Sequence, residues 1–310
     1  MPPLIGVPST AGSITPLGDL ILSIRDKIPD KVTDPSGDGG MFSLQTLLRW
    51  INHTATEMCA AAPVLQDWGA IASEQGQDVY VINSQITDIL QLWYDLWPCA
   101  KQPEQDTIFV SKVSGRSYFC APHSSHYIPR LSVWPCADHT AYSTTLSSGI
   151  TATDVTIPLT SVTNILAFGF IQIESEIILY RTVNTAALTL TQVIRGQAGT
   201  TAVAHTSGTK VTCLNIMYKC ARLPNQVSAA TDVLELPLVL QPVLELGVMA
   251  EVREAEQDFQ EARQLRTEFD KQVDKLAQRA VFKLRQGTQV RVMLPGPMLY
   301  GYGPFGTYVQ

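Results

Sequence analysis

The chain has 310 residues, 45% of them hydrophobic, which is enough for real cores and points to two domains. Only 16% are charged, against roughly 25% in an average soluble protein, and the abundance of Thr, Ser, Gln and Asn suits a surface that makes repeated protein contacts. A net charge of −6 without a Lys/Arg cluster excludes an electrostatic footprint for nucleic acid, and no apolar run has the length of a membrane span.

Met1-Pro-Pro-Leu-Ile-Gly6 lacks the basic start of an export signal, so the product is expected in the cytoplasm, with its six cysteines reduced and no cofactor. Residues 1–14, rich in Pro and Gly and without periodicity, read as an extended arm. Thr15-Pro16 then places an N-cap before a proline at the first helical position, and Leu17, Leu20, Ile21, Ile24 and Ile28 form one apolar face that Pro29 ends. After a loop at 34–40, Ser43 can cap a second helix with the face Leu44, Leu47, Leu48, Ile51, Ala55 and Met58. These two helices are predicted to form a hairpin that docks on a long helix further along. His53, with no carboxylate or cysteine beside it in sequence, reads as structural or surface.

From Val64 to Ala141 the pattern changes to short strand-like pieces, among them Val79–Ile82 and Arg116–Phe119. Each precedes a tetrapeptide Trp-Pro-Cys-Ala, at 97–100 and at 134–137, which suggests two similar strand-turn units. Trp93, Trp97 and Trp134 are expected in the core, with an interface role second. Cys120-Ala-Pro-His123-Ser-Ser-His126, with Cys136 and His139 beyond, holds zinc-ligand types. Its spacing fits no usual zinc pattern, so no metal site is expected.

Residues 142–213 are Thr-rich, with alternating runs at Val155–Ile157, Phe170–Ile173, Ile177–Tyr180, Leu188–Leu190 and Lys210–Thr212, and read as a small all-β module inserted into another domain. The Gly-rich stretch after Ile194 has no Lys-Ser/Thr and opens no helix, so it reads as a turn, and Ser175 lacks a nucleophile-elbow context. Strand-like Leu214–Tyr218 follows, and Leu223-Pro224 breaks it.

Between Val243 and Arg285, apolar residues at Val248, Val252, Ala255, Phe259, Ala262, Leu265, Phe269, Val273, Leu276, Ala280 and Leu284 recur every 3.6 residues. They predict one amphipathic helix of roughly 60 Å, longer than a compact domain requires. Glu251, Glu254, Glu256, Asp258 and Glu261 lie in its first third and Lys271, Lys275, Arg279, Lys283 and Arg285 in its last. That order complements the helix dipole on a solvated face, and it equally suits a stripe that neighbouring copies read across a subunit boundary. Beyond Gly287, prolines and glycines preclude a helix. Met293, Leu294, Met298, Leu299, Tyr300, Tyr302, Phe305 and Tyr308 are nevertheless too apolar for a solvated tail. This arm is predicted to bury its aromatics on a partner chain, such as a neighbouring copy, or else to fold back over its own subunit.

With the insertion set aside, the order of Leu17-Gly-Asp-Leu-Ile-Leu-Ser-Ile-Arg25, Leu47-Leu-Arg-Trp-Ile-Asn52, Gly76-Gln-Asp-Val-Tyr80, Tyr218 with Leu223-Pro224, and Asp232-Val-Leu-Glu-Leu-Pro237 before a charged helix resembles the head-to-tail adaptor (head-completion, connector) proteins of tailed bacteriophages. The insertion, through Ile173-Glu-Ser-Glu-Ile177 and Arg195-Gly-Gln-Ala-Gly-Thr-Thr-Ala202 with His205 and Gly208, is similar to a module of phage virion proteins. The resemblance implies a structural protein without catalysis, assembled in the host cytoplasm into the virion neck. It would form a ring, usually of twelve copies, between the portal protein and the next tail component, a nozzle or tail tube, with the β module open to tail fibres.

The expected fold is α+β: a mainly helical bundle core with a long C-terminal helix and short strands, made of 15–141 and 214–286, an inserted β domain at 142–213, and arms at 1–14 and 287–310. A receptor- or glycan-binding tail protein is the alternative function, and would need surface aromatics that the module can supply only from Phe168, Phe170 and Tyr180. An enzyme built on Cys120, His123 and His126 would need a base within reach of a nucleophile.

Overall fold

The computed structural model describes residues 4–5, 14–28, 40–101, 117–121, 130–197 and 200–287. In chain order, β1 (Leu4–Ile5) and β2 (Ile14–Pro16) precede α1 (Leu17–Asp26) and α2 (Leu44–Ala61). Six strands follow: β3 (Leu65–Ile71), β4 (Val79–Val81), β5 (Ile86–Tyr94), β6 (Trp97–Lys101), β7 (Ser117–Ala121) and β8 (Arg130–Trp134). The Thr-rich region gives β9 (Ser143–Thr145), β10 (Ile157–Pro158), β11 (Gly169–Ile173), β12 (Glu176–Tyr180), β13 (Thr182–Asn184), β14 (Thr189–Thr191), β15 (Ile194–Gln197) and β16 (Lys210–Leu214). The chain then forms β17 (Ile216–Arg222), β18 (Val233–Pro237), α3 (Gln241–Ala255) and α4 (Phe259–Gly287).

The expected helical-bundle core is not what this chain builds, because the fold is predominantly β. The pieces that read as isolated short strands join into one eight-stranded sheet in the order β1-β3-β17-β5-β6-β7-β8-β4, antiparallel except between β6 and β7. Its centre is β17, paired along its whole length with β3 on one side and with β5 on the other. The sheet curls so that Tyr80, Leu131 and Val133 of β4 and β8 share a core with Ile89, Leu92, Ile216 and Tyr218 of β5 and β17. Opposite Tyr218 in the register stands Gly69, where an added Cβ would lie 2.1 Å from the tyrosine ring. The glycine makes room for a ring laid flat over the neighbouring strand.

The helices form a second layer. Leu17, Leu20, Ile21 and Ile24 of α1, Leu47, Leu48, Ile51, Ala55 and Met58 of α2, and Leu244, Val248 and Val252 of α3 pack with Phe269 and Val273 of α4. Ser43 caps α2 by accepting from the Thr46 amide. At Gly247 a Cβ would meet Thr54 Cγ2 at 2.4 Å and the Phe269 ring at 2.8 Å, so α2, α3 and α4 approach closely there. This layer sits beside the β3/β17 sheet end, where Leu65 and Leu223 touch it, and Arg222 bridges Asp67 and Glu235. Burial of the Asp67 carboxyl raises its pKa despite Arg222, whereas in Glu235 burial is outweighed by Arg222 and Asn225 and the pKa is lowered.

The single long helix of the sequence reading is two helices. Gln257 takes a left-handed φ of 66°, the Asp258 amide donates to the Arg253 carbonyl and the Gln257 amide to the Glu254 carbonyl, which closes α3 in a Schellman turn. The Asp258 carboxylate then accepts from the Glu261 amide and opens α4. The chain reverses, and the 3.6-residue stripe becomes the seam between α3 and α4.

Trp97 and Trp134 also depart from expectation, being 77% and 42% exposed, while Trp93 is half-buried and stacks on Trp68 at 5.1 Å. The two Trp-Pro-Cys-Ala copies are not equivalent units, since one opens β6 and the other follows the end of β8. Both tryptophans sit where a strand meets a turn, so neighbouring strands do not cover them.

Residues 143–214 build a five-stranded sheet, β15-β12-β11-β16-β9, and a three-stranded one, β10-β14-β13, around Ile157, Ile171, Ile173, Ile178, Tyr180 and Leu190. The outer side of the larger sheet places Phe170, Ile177 and Leu214 on Ala70 and Met217 of the main sheet. The module therefore packs on the body of the protein as well as being connected to it.

Candidate functional site

Among the described residues, two polar groupings and one helical surface are the places where chemistry or binding could reside. Neither Cys120, His123 nor His126 has a described side chain, and Met293, Leu294, Met298, Leu299, Tyr300, Tyr302, Phe305 and Tyr308 lie outside the described residues. The thiols of Cys59, Cys213 and Cys220 are buried and reduced, and burial pushes Cys59 up to about 12, so it is inert at neutral pH. Cys99 and Cys136 are reduced and partly exposed.

His139 belongs to a group that its sequence neighbours did not foretell. Its Nδ1 lies 2.9 Å from Asp138 Oδ1 and its Nε2 3.4 Å from Asp95 Oδ2, and ligand atoms of the three residues fall within 4.8 Å of one another. Tyr94 Oη donates to Asp138, and Asn215 Nδ2 donates to Asp95 Oδ1 and to Ser73 Oγ. The group opens on a cleft of about 520 Å³ at the junction of main sheet and module, lined also by Thr140, Tyr142, Asn164, Leu166 and Cys213. Two carboxylates and an imidazole could hold a divalent ion, but exposed groups of this kind are common without one. Asp95 reaches His139 only through the strand register, so no local motif announces the group.

Inside the module a second group is consumed by its own hydrogen bonds. Glu176, fully buried, accepts from Arg195 Nε and Nη2 at 2.7 Å, from the amides of Gly196 at 3.1 Å and Val203 at 3.3 Å, and pairs with His205 Nε2 at 2.8 Å. His205 Nδ1 faces Glu174 at 2.9 Å. Burial pushes the Glu176 carboxyl up, but Arg195, His205 and the two amides outweigh it and hold it at about 2. With its lone pairs taken and no exposed surface, this carboxylate is unsuited to proton transfer with a substrate. It ties the Gly-rich stretch at 196–205 to β12, which explains why Glu176, Arg195, Gly196 and His205 occur together in the sequence. Tyr180 and Phe170 are buried, so Phe168, 52% exposed, is the one surface aromatic among the three that a ligand platform on the module would need.

The helical surface is the α3–α4 hairpin. Arg253 pairs with Glu256 at 2.5 Å and Glu261 at 3.2 Å, and Arg266 bridges to Glu57 from α2 and approaches Glu251 at 4.0 Å. Beside the turn is an open cleft of about 400 Å³ lined by Ala250, Glu251, Glu254, Phe259, Ala262, Arg263 and Arg266, with Phe259 56% exposed. Because the chain reverses at Gln257, Glu251 and Glu254 stand in the last turns of α3, where the helix dipole disfavours negative charge by about 0.3–1 kcal/mol per group. The dipole therefore accounts for Asp258 and Glu261 at the start of α4, but not for these two. The missed signal was Asp258-Phe-Gln-Glu261, a capping-box spacing inside an otherwise continuous apolar stripe.

Compared with known proteins, the sequence matches no family and no curated relative.

Proposed function

We propose that the chain is a structural virion protein, a head-to-tail adaptor whose copies form a ring joining the portal of a tailed-phage capsid to the tail. In this reading it is not an enzyme; its partners are the portal protein, the next tail component and the neighbouring copies. The observation that supports it most is α4. Its 29 residues span about 43 Å, against 15 residues in α3, the helix it packs on. A helix that outruns its hairpin partner and leads into an apolar sequence suits a subunit completed by other chains. The motif order set out above supplies the phage context.

The test is direct. Purified portal rings are mixed with the chain and imaged by electron cryo-microscopy. One ring of copies on the tail-facing end of the portal is expected, and portals left bare by a saturating amount of folded protein would sink the reading.

A further inference from the structure

The α3–α4 hairpin separates charge by sign along its length. Residues 251–261, around the turn, carry five carboxylates and one arginine, whereas 275–287, at the far end of α4, carry Lys275, Arg279, Lys283 and Arg285 and no carboxylate. At 1.5 Å per residue the two groups are about 30 Å apart. On a single straight helix this order would be explained by the dipole, but the reversal at Gln257 removes that explanation for Glu251 and Glu254. Glu254 is exposed and makes no ion pair among the described residues, and the same holds for Lys275 at the opposite pole.

We infer that the acidic turn of one copy, with Glu254 and the exposed Phe259 beside the 400 Å³ cleft, binds the basic end of α4 of a second copy. The occupant is chosen by charge: each copy offers one pole of each sign, so turn-to-turn and end-to-end encounters repel and only the head-to-tail arrangement attracts. A head-to-tail contact uses two different surfaces and repeats from copy to copy, which is the geometry that closes rings. This names the neighbour contact of the adaptor reading and rests on it for its role in the virion.

The test uses the full chain alone, so that it is independent of the portal experiment. Sedimentation velocity at about 20 mM salt, where charges are felt over roughly 20 Å, should show concentration-dependent association that 500 mM salt, at roughly a 4 Å screening length, abolishes. The variant E254K/E256K/E261K makes both poles basic, and K275E/R279E/K283E makes both acidic. Each alone should lose at least about tenfold in association, and a mixture of the two should recover it by alternating. The single changes E254K and K275E, both at exposed side chains, carry the same comparison if a triple variant does not fold. Wild-type protein that stays monomeric at low salt, variants that associate like wild type, or a mixture that recovers nothing would each overturn the inference, and portal binding could still succeed.

Discussion

Replacing Glu176 by Gln tests whether the module is held together by the buried network. One amide oxygen and one NH2 would take the places of two carboxylate oxygens that face Arg195 Nε and the Gly196 amide on one side, and Arg195 Nη2, the Val203 amide and His205 on the other. Whichever way the amide turns, at least two donors then point at another donor. Two routes give the size of the loss. Removing one partner of a buried ion pair costs about 3–5 kcal/mol. The fall of the Glu176 pKa from 4.5 to about 2, at about 1.4 kcal/mol per unit, gives roughly 3 kcal/mol. Because the folded value is the lower one, this stabilisation is fully present above the ordinary carboxylate range and is lost as the pH falls through it toward about 2. Urea unfolding of the intact chain, with hydrogen exchange followed over 194–205, should report a loss near 3 kcal/mol. Glu174→Gln, at a side chain 63% exposed, should cost less than about 1 kcal/mol. A loss below about 1 kcal/mol for Glu176→Gln would show that the network is not what holds the Gly-rich stretch.

Gly247→Ala should lower stability by about 1–3 kcal/mol in a thermal melt, since its methyl would collide with Thr54 and Phe269. Gln257→Gly should act in the opposite sense, raising stability by up to about 1 kcal/mol through relief of the left-handed φ; a decrease would mean that the Gln side chain contributes more than the strain costs. A chain in which 142–213 is replaced by a short Gly/Ser linker should still join the portal, yet bare Ala70, Met217 and Trp68 and become less soluble; failure to fold would place the module in the core. Truncation after Arg285 should leave a folded, soluble protein that no longer binds portal, and retained binding in a pull-down would remove the arm from the interface.

Much of the chemistry that acts within a few residues was legible in the sequence, though the Asp258 cap was missed and Thr15-Pro16, read as a helix start, belongs to β2. Helix α1 and its face, the Ser43 cap and face of α2, and the strand character of β11 and β12 follow from periodicity and hydrogen-bonding groups that are near neighbours along the chain; that β11 and β12 are covered on both faces does not. The pairing of Glu176 with Arg195 and His205 was not legible, because three residues spaced over 29 positions acquire a meaning only when the fold of the module brings them together.

Only the tertiary structure decided that the body is a sheet. Whether short apolar pieces stay separate or join depends on which strands pair, and β17 meets β3 and β5 across more than a hundred residues of intervening chain. The same limit hid the group of Asp95, Asp138 and His139, assembled by that register, and the exposure of Trp97 and Trp134, since aromatic character speaks for burial while position at a strand end removes the neighbours that would cover it. The hairpin is the sharpest case. A stripe of period 3.6 is equally satisfied by one helix against a partner or by two helices against each other, and the choice rests on three residues, Glu256 to Asp258, whose backbone closes one helix and caps the next. Periodicity records which faces are apolar; what those faces meet is set by where the chain turns.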